Sequence, residues 1–387
     1  MTTPAQPTPR EKDRFTVTYR LSGGRDEAEA KARDLIVEQT VEFPPDLIQE
    51  KHILDHVVGR IENLEQGPDG AYRARVSFAA DDVGGDFTQF LNVLFGNVSL
   101  KPGVKIDRLG DLGRLGDKFR GPRFGCEGLR ERLSAPGRAL LATAVKPMGL
   151  SAEDLAERAH HFALGGIDII KDDHGLSDQP YAPFEERVKR CAEAVAEANK
   201  KTGYRCLYAP NVTAGPGETE RRARFAKGNG AGALLVSPGL CGFDAMRALA
   251  DDDTLGLPIL AHPAFLGGFT ASPESGISHG CLFGQLMRLS GADASIYPHA
   301  GGRFSFPEAE CRSIALGCAE TMGRLKPIFP APGGGMTLKR GDELKRFYGA
   351  DAVYLVGGDL LRGGPDIVKT CETFRRMVSN PPLHPPF

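Results

Sequence analysis

The stretch GGIDIIKDDHGLSDQP, residues 165–180, places a row of ionisable side chains directly after an apolar run. The isoleucines of this run predict a buried β-strand, and the next four residues are Lys171, Asp172, Asp173 and His174. Three interpretations are open from these residues alone: a solvated turn that happens to be charged, a structural ion pair, or a metal and acid/base site. The pattern of the rest of the chain bears on the choice between them.

Eight apolar, strand-like segments follow one another from residue 139 onward, and each is followed by a polar loop and an amphipathic helix. The segments are ALLATAV (139–145), IDIIKD (167–172), YRCLYAPNV (204–212), GALLVSP (232–238), LPILAHPAF (257–265), DASIYPH (293–299), KPIFPAPG (326–333) and DAVYLVGG (351–358). Eight such units within about 250 residues predict an α/β fold, a closed parallel (β/α)8 TIM barrel. A doubly wound open sheet is the competing architecture, but no G-x-G-x-x-G motif follows the first strand.

The first 122 residues do not show this regular alternation of strands and helices. Residues 1–13 are polar and rich in proline, which predicts a disordered arm. Residues 14–122 contain an alternating strand (RFTVTYRL), a helix (EAEAKARDLIVEQ), a hairpin around a GPDG turn and a second helix (FTQFLNVLFGN). We therefore expect a small N-terminal α+β domain of ferredoxin-like type over 14–122 and a catalytic (β/α)8 barrel over 123–387.

The composition argues against several classes of partner. The 48 Lys and Arg residues nearly cancel the 50 Asp and Glu residues, so a formal charge of -2 gives no general attraction to nucleic acid or to an anionic membrane. The sequence has no run of about 18 apolar residues, and its polar start lacks the apolar core of a signal peptide. The eight cysteines contain no C-x-x-C pair, which predicts reduced core residues. A cytoplasmic protein is expected.

Polar residues and glycines collect at the carboxyl ends of the predicted barrel strands, where barrel enzymes place their catalytic groups. They are Lys146, Lys171, Asp172, Asp173, His174, Asn211, Thr213, His262, His299 with Arg303 beyond it, Gly333, Gly334, Gly335, Gly357 and Gly358. Each has an ordinary structural explanation when taken alone, since a single histidine is commonly a hydrogen-bonded core residue and a glycine pair is commonly a turn. Their convergence on one rim favours an active site.

The glycines after the seventh and eighth strands predict a phosphate site. Backbone N–H groups approach a phosphate closely only where no side chain intervenes, and these two loops are the usual phosphate position of a barrel. We therefore expect a phosphorylated small-molecule substrate to bind at Gly333, Gly334, Gly335, Gly357 and Gly358.

The residues after the second strand are compatible with a divalent metal. Period-two alternation places Lys171 and Asp173 on the same side, with His174 on the bend that follows. A structural Lys–Asp ion pair is the alternative interpretation of this spacing. A metal would need the carboxylate, the imidazole and one further oxygen, which a lysine supplies only after carbon dioxide has added to its amine.

The motif GGIDIIKDD resembles the metal-site motif of the RuBisCO large-chain superfamily, and the resemblance extends over nearly the whole chain. Further matching segments are TAVKP on the first barrel strand, FGNV around Asn97, AHPAF on the fifth strand, and the two glycine loops PGGG and LVGG. The architecture of that superfamily, an α+β domain followed by a barrel, is the one expected here.

The resemblance implies roles for individual residues. Lys171 would be the carbamylated lysine and Asp173 a magnesium ligand, while Lys146 would be the general base of enolisation. His262 and the glycine loops would hold phosphate and substrate hydroxyls. Asn97 would reach into the active site of the neighbouring subunit of a head-to-tail homodimer.

Departures from the carboxylase pattern argue against carbon dioxide fixation. His174 replaces the glutamate of K-D-D-E, Met148 replaces the second lysine of K-P-K, and Pro263 replaces the arginine beside the fifth-strand histidine. Arg303 stands where the carboxylases have the lysine of loop 6, and EQTVEF (38–43) stands where they have T-G-T-W. An imidazole suits Mn²⁺ better than Mg²⁺, so the expected cofactor, one Mg²⁺ per subunit held by Lys171, Asp173 and His174, leaves Mn²⁺ possible.

The chain is therefore identified as similar to the RuBisCO-like (form IV) proteins, and its combination of motifs most resembles their isomerase-type branch. The expected function is metal-assisted enolisation and isomerisation of 5-methylthioribulose 1-phosphate or a close relative in methionine salvage, with Asn211 and Arg303 also at the substrate. The alternatives are a 2,3-diketo-5-methylthiopentyl-1-phosphate enolase, a 3-oxo-isoapionate 4-phosphate transcarboxylase/hydrolase, and a metal-free binding or regulatory protein.

Overall fold

The computed structural model describes residues 13–302, 304, 306–364 and 366–379 of the 387-residue chain. The chain forms two compact units. The first comprises the described part of 1–120 together with the segments 267–285 and 321–325. The second comprises 121–266, 286–320 and the described part of 326–387.

The first unit is built on a five-stranded sheet. Its strands are β1 (Arg14–Leu21), β2 (Arg60–Gln66), β3 (Tyr72–Ala79), β4 (Val104–Leu109) and the short strand Gly276–Ile277. The order across the sheet is Gly276–Ile277, β4, β1, β3, β2, and only the pairing of Gly276–Ile277 with β4 is parallel. Phe15, Val17, Tyr19 and Leu21 alternate along β1 and are fully buried, as expected for a strand with one face on a core.

Two longer helices accompany this sheet, Arg25–Glu38 and Phe87–Phe95. The second begins after Asp86, whose side chain accepts hydrogen bonds from the N–H groups of Thr88 and Gln89 and so caps the helix. The hydroxyl of Tyr19 donates to the carbonyl of Leu94, which ties this helix to β1. Shorter helical segments of the unit are Pro45–Leu47, Ile53–Val57, Ala80–Asp82, Asn97–Leu100, Gly113–Asp117 and Gly267–Thr270.

The second unit contains eight parallel strands. They are β5 (Leu140–Val145), β6 (Ile169–Asp172), β7 (Leu207–Ala209), β8 (Leu234–Val236), β9 (Ile259–Ala261), β10 (Ala294–Pro298), β11 (Phe329–Gly333) and β12 (Val353–Leu355). Hydrogen bonds order them as β12, β5, β6, β7 in one sheet and β8, β9, β10, β11 in the other. A bridge between Asn211 and Leu235 joins β7 to β8. Gly333 of β11 lies against Leu355 of β12, where an added Cβ would meet Leu355 Cδ2 at 3.1 Å.

Helices follow the strands, as the alternating pattern predicts. The helices of the unit are Gly125–Leu133, Ala152–Leu164, Phe184–Thr202, Glu218–Gly228, Pro238–Cys241, Phe243–Asp251, Met287–Leu289, Glu308–Ala319, Leu338–Arg340, Gly341–Tyr348, Asp359–Arg362 and Ile367–Ser379. Apolar residues of all eight strands form one buried cluster, which includes Leu140, Ile169, Leu235, Leu260 and Phe329. The predicted fold class, a barrel preceded by an α+β region, is thereby confirmed.

The strands are shorter than the apolar segments that predict them. Of the segment 204–212 only β7 is a strand: Pro210 has no N–H to donate to a ladder, and beyond it only the single bridge from Asn211 to Leu235 continues the pairing. All eight cysteines are free, and all except the partly exposed Cys241 are buried. Among the described helices, none has the length and apolar character that crossing a membrane requires.

Candidate active site

Four of the predicted site residues form one cluster in the barrel unit. Lys146 directly follows β5, Asp173 and His174 follow β6, and His262 follows β9. The Nζ of Lys146 lies 3.2 Å from Oδ2 of Asp173, and the Nδ1 of His174 lies 3.2 Å from Oδ1 of the same carboxylate. The ring of His174 is stacked on that of His262, with centroids 4.5 Å apart and 9° between the planes. The cluster therefore lies where three strands end.

Asp173 is held in its ionised form. Burial by itself raises the pKa of this carboxyl, but hydrogen bonds from His174 and from the N–H of Gly175 act in the opposite direction. The positive charges of Lys171 and Lys146 add to them, and the net effect keeps the pKa of Asp173 well below its usual range. The residue is therefore an anion that already has partners on both oxygens.

Lys171 is the buried member of the group, with 3% of its surface exposed. Its Nζ donates a hydrogen bond of 3.0 Å to the backbone carbonyl of Asp172. Burial lowers the pKa of Lys171 to about 8, because it outweighs the opposing effect of the Asp173 carboxylate, and the charge of Lys146 adds a smaller lowering. A large fraction of this amine is therefore neutral in mildly alkaline solution, which is the form that reacts with carbon dioxide.

His262 is neutral and has a defined tautomer. Burial, followed by the charges of Lys171 and His174, lowers its pKa to about 2. Its Nδ1 accepts a hydrogen bond of 3.2 Å from the N–H of Ala264, which leaves the ring proton on Nε2. Nε2 is therefore a hydrogen-bond donor suited to a substrate oxygen.

Asp172, the other carboxylate of the motif, belongs to a buried structural network. It is fully buried and accepts hydrogen bonds from Arg187 Nε at 3.1 Å, the hydroxyl of Tyr208 at 2.7 Å and the N–H of Asn211 at 3.0 Å. The guanidinium of Arg187 also donates to the carbonyls of Ala182 and Ser177. The network thus anchors both ends of the loop that carries Asp173 and His174.

Sequence reasoning did not find this network. Because alternate strand residues point to opposite faces, placing Asp173 in the site already assigns Asp172 to the other side. The available signal for the partner of Asp172 was Arg187, which lies in the first turn of the following helix, Phe184–Thr202.

Asn211 supports the same loop. Its amide nitrogen donates to the carbonyls of His174 and Leu176 at 3.0 and 2.9 Å, and its Oδ1 accepts from the N–H of Thr213. The side chain is 2% exposed. These contacts hold the loop in position, and the substrate contact expected of Asn211 stays a prediction.

The glycine loops after β11 and β12 have the backbone freedom that the phosphate prediction needs. Gly334 and Gly335 have φ of 75° and 95°, a region that side chains rarely adopt. The Cα of Gly302 approaches the carbonyl of Gly334 so closely that an added Cβ would lie 1.9 Å from its oxygen. At the other loop, Lys146 Nζ lies 4.0 Å from the Cβ position of Gly357, while Gly358 has open space around it.

Two predicted residues are not part of this cluster as described. Arg303 lies outside the described residues. Asn97 belongs to the first unit, where its amide donates to Oε1 of Glu38 at 3.0 Å and to Oε1 of Glu42 at 3.1 Å. Its reach toward a neighbouring subunit stays a prediction.

The side chains present provide only part of the donor set that a metal site would need. Within the described residues, no group of three or more His, Cys, Asp or Glu side chains is placed to hold a metal ion. Asp173 and His174 provide two ligands of suitable chemistry, and an amine is not an oxygen ligand. The donor set fits a divalent cation only when Lys171 carries a carbamate.

The chain is similar in sequence to proteins of a known family. A model of the ribulose bisphosphate carboxylase large chain, catalytic domain, matches residues 125–303. The chain is 36% identical over 368 residues to the 5-methylthioribulose-1-phosphate isomerase of Rhodospirillum rubrum, which covers 95% of this chain and 96% of that protein. It is 35% identical over 352 residues to the 2,3-diketo-5-methylthiopentyl-1-phosphate enolase of Bacillus pumilus, with 89% of this chain and 86% of that protein covered.

A solved structure extends the agreement to three dimensions. The crystal structure of a Rubisco-like protein from Rhodopseudomonas palustris matches with a TM-score of 0.85 and 36% sequence identity, covering 95% of this chain and 98% of that chain. The family expected from the motifs is thereby confirmed. The chain belongs to the RuBisCO large-chain family and, within it, to the RuBisCO-like proteins.

Proposed function

We propose that this RuBisCO-like protein is an isomerase that enolises a phosphorylated ketose such as 5-methylthioribulose 1-phosphate. The observation that carries the proposal is the contact between Lys146 and Asp173, which places an amine beside the carboxylate of the motif at the end of two adjacent barrel strands. The identity to a 5-methylthioribulose-1-phosphate isomerase over nearly the whole chain supports this choice of substrate. Lys146 is the proposed general base, and Nε2 of His262 the proposed donor to a substrate oxygen.

Lys171, Asp173 and His174 are the proposed holders of one divalent cation, Mg²⁺ or Mn²⁺. The neutral amine of Lys171 would attack the carbon of carbon dioxide; as the N–C bond forms, one C=O π pair moves onto oxygen and the nitrogen releases a proton to solvent, so that a neutral amine becomes an anionic carbamate. A cation bound there supplies Lewis-acid polarisation of the substrate carbonyl. Lys146 must lose a proton from its ammonium group before its amine can accept one from carbon. A cation that shared the carboxylate of Asp173 would weaken the ion pair that holds Lys146 in its charged form and so favour that loss.

The proposed phosphate site consists of the N–H groups of Gly333, Gly334, Gly335, Gly357 and Gly358. Lys146 is near the Cβ position of Gly357 and also pairs with Asp173, so it lies between this loop and the carboxylate. A substrate anchored by its phosphate at Gly357 would therefore present its carbon chain to the amine. Arg303 and Asn211 are proposed as further substrate contacts, and Asn97 as a contact made by the other subunit of a homodimer.

Proton exchange tests the proposal. In heavy water, wild-type protein with Mg²⁺, bicarbonate and 5-methylthioribulose 1-phosphate should introduce deuterium at the carbon beside the carbonyl, observed by proton NMR. Lys146→Ala should slow the exchange by a factor of about 100 or more, because general-base catalysis is worth about 10²–10⁴ in rate. Lys201→Ala, which changes an exposed lysine paired with Glu197, is the matched control and should exchange like the wild type. Undiminished exchange in Lys146→Ala would falsify the assignment of the base.

Assays with other substrates, together with metal analysis of the purified protein, separate the alternative functions. The 2,3-diketo-5-methylthiopentyl-1-phosphate enolase alternative is favoured if the diketone is turned over and the ribulose phosphate is not; its support is the identity to the Bacillus enzyme. A hydrolase would release carbon–carbon cleavage products from 3-oxo-isoapionate 4-phosphate. A binding or regulatory protein would show no exchange and no stoichiometric metal that depends on Lys171.

A further inference from the structure

Arg340 lies beyond the glycine loop that follows β11 and makes hydrogen bonds to the loop that follows β10. Its Nη1 donates to the carbonyl of Ala300 at 3.0 Å, and its Nη2 lies 3.3 Å from Nε2 of His299. The guanidinium also pairs with Glu343, through Nε at 3.0 Å and through Nη2 at 2.6 Å. The fork of this side chain therefore joins the end of the short helix Leu338–Arg340 to a different loop of the barrel unit.

These contacts hold His299 in one neutral tautomer. Since an arginine can only donate, Nε2 of His299 is the acceptor of the bond from Arg340, and the ring proton is assigned to Nδ1. Nδ1 then donates to the hydroxyl of Tyr348 at 2.9 Å. The residue is 1% exposed, and burial, followed by the charge of Arg340, lowers its pKa to about 4. Both ring nitrogens of this predicted rim residue therefore have partners within the protein.

The loop after β10 packs against the proposed phosphate loop without side chains between the two. The N–H of His299 donates to the carbonyl of Gly333 at 2.8 Å. A Cβ added to Gly302 would lie 1.9 Å from the oxygen of Gly334, and one added to Gly335 would lie 3.1 Å from the Cα of Gly302. The two loops are therefore in backbone-to-backbone contact, and a shift of Gly302 must displace the peptide groups of Gly334 and Gly335.

A loop of this composition is costly to keep in one conformation. Residues 300–302 are Ala-Gly-Gly, and glycine loses more conformational freedom on ordering than any other residue. Arg340 lies against them, with Nη1 and Nη2 at 3.4 and 3.5 Å from the Cβ position of Gly301. Backbone N–H groups bind an anion best when they are already oriented toward it. An ordered loop after β10 therefore favours phosphate binding at the loop it packs against.

We infer that Arg340 is a positioning residue for the phosphate site: it fixes the loop after β10, which in turn holds the N–H groups of Gly334 and Gly335. The guanidinium itself is not the phosphate ligand, because four of the five N–H groups that a guanidinium has already have partners. This inference rests on the proposed function in one respect, since it takes the phosphate to bind at these glycines.

The competing explanation is that Arg340 only stabilises the start of the helix Gly341–Tyr348 through its ion pair with Glu343. That role lowers Tm when Arg340 is replaced but leaves the affinity for phosphate unchanged, whereas a positioning role weakens every phosphorylated ligand. Glu343→Gln separates the two explanations further. It removes the ion pair and leaves the donors of Arg340 to Ala300 and His299 in place.

The experiment measures binding to the full-length protein by calorimetry. The probe is the pentitol 1-phosphate made by reducing the carbonyl of 5-methylthioribulose 1-phosphate, and inorganic phosphate is measured as its competitor. Arg340→Met should weaken both by about tenfold or more, because binding must then order the loop, and tenfold corresponds to ordering about one residue. Glu343→Gln should weaken them by no more than about threefold. Arg346→Met, at an exposed position of the same helix, is the matched control and should bind like the wild type.

Two further measurements separate positioning from stability. In the deuterium-exchange assay, Arg340→Met should raise KM by about tenfold and change kcat by less than about threefold, since its hydrogen bonds do not involve Lys146 or Asp173. Gly302→Ala forces the two loops apart from the other side and should weaken the pentitol phosphate by a similar factor. This variant decides the question if Arg340→Met does not fold.

The possible outcomes are distinct. Unchanged affinity for both probes in folded Arg340→Met or in Gly302→Ala, or an equal loss in Glu343→Gln, overturns the inference and leaves the proposed function intact. Wild type that binds neither probe overturns the inference together with the proposed phosphate site. Wild type that binds the pentitol phosphate but exchanges no deuterium contradicts the proposed isomerase, and the binding of the variants then still supports or overturns the role of Arg340.

Discussion

His262 shows how one residue acquires its properties from its neighbours. From the sequence alone, this histidine could be protonated or neutral, and it could be a metal ligand or a core residue. In the structure its ring is stacked on that of His174, its Nδ1 accepts a hydrogen bond from the N–H of Ala264, and it lies half-buried near the positive charge of Lys171. These surroundings make it a neutral donor, the form useful for hydrogen bonding to a substrate oxygen without repelling Lys146.

The same surroundings predict an acid sensitivity of the fold. An unfolded-state histidine takes up a proton near pH 6.5, whereas His262 in the folded protein does so only near pH 2. Between these values the unfolded state binds more protons, so the contribution to stability is present above pH 6.5 and is lost as the pH falls. From pH 7.5 to pH 5 the loss should be on the order of 1–2 kcal/mol.

Urea unfolding at the two pH values measures this loss. His262→Gln should lose less stability than wild type on acidification by about that amount. His52→Gln, at an exposed position, is the control and should follow the wild type. An identical pH dependence in wild type and His262→Gln would show that this residue does not contribute.

At the level of secondary-structure elements, one carboxylate joins the start of the barrel to its last helix. Asp168, just before β6, is 4% exposed and accepts two hydrogen bonds from Arg138, at 2.6 and 2.7 Å. It also accepts from the N–H of Leu141 and from Arg375 of the helix Ile367–Ser379. We call these contacts of Asp168 with Arg138, Leu141 and Arg375 the Asp168 clamp. The clamp lies at the amino end of β6, while Lys171 to His174 occupy its carboxyl end. Residues that stabilise the fold and residues of the candidate active site therefore lie at opposite ends of one strand.

Asp168→Ala should therefore destabilise the protein without altering the active site directly. Removing one partner of a buried ion pair leaves Arg138 with an uncompensated charge, and such changes cost about 3–5 kcal/mol. Glu197→Ala, which breaks the exposed pair with Lys201, should change stability by no more than about 1 kcal/mol. Urea denaturation of both variants provides the measurement, and a loss below about 1 kcal/mol for Asp168→Ala would contradict the clamp.

At the scale of the whole molecule, formation of the proposed carbamate and binding of the cation should increase the free energy of unfolding. A ligand that binds only the folded state stabilises it by about 2.7 kcal/mol at a concentration of 100 Kd. Because the carbamate needs the neutral amine of Lys171, whose pKa is lowered to about 8, the effect should grow as the pH rises from 7 toward 8.5.

Mg²⁺ and bicarbonate added together should accordingly raise Tm by a few degrees, and each added alone should raise it less. Differential scanning calorimetry measures the shift. Lys171→Met, which keeps the length of the side chain but cannot form a carbamate, should lose the combined effect. Lys200→Met changes an exposed lysine of the helix Phe184–Thr202 and should keep it. An equal rise of Tm in Lys171→Met would rule out this lysine as the origin.

Much of the fold could be predicted from local sequence patterns. Alternating apolar segments and amphipathic helices are short-range features, and eight of them in succession leave few topologies other than a barrel. The rule that places catalytic groups at carboxyl strand ends predicted that Lys146, Asp173, His174 and His262 lie near one another, and in the structure these four side chains form one cluster. The RuBisCO-like family followed from the motif around Lys171 and was confirmed by comparison.

The individual contacts depended on tertiary structure. Strand alternation assigns Asp172 and Asp173 to opposite faces, but nothing local in the sequence shows that Arg187 and Tyr208 enclose Asp172 or that Asp173 faces Lys146. Nor does it show that the amide of Asn211 is directed at the carbonyls of His174 and Leu176. Hydrogen-bond partners and burial are set by side chains that arrive from other strands, and a pKa follows from those partners; periodicity reports only which face of its own element a residue occupies.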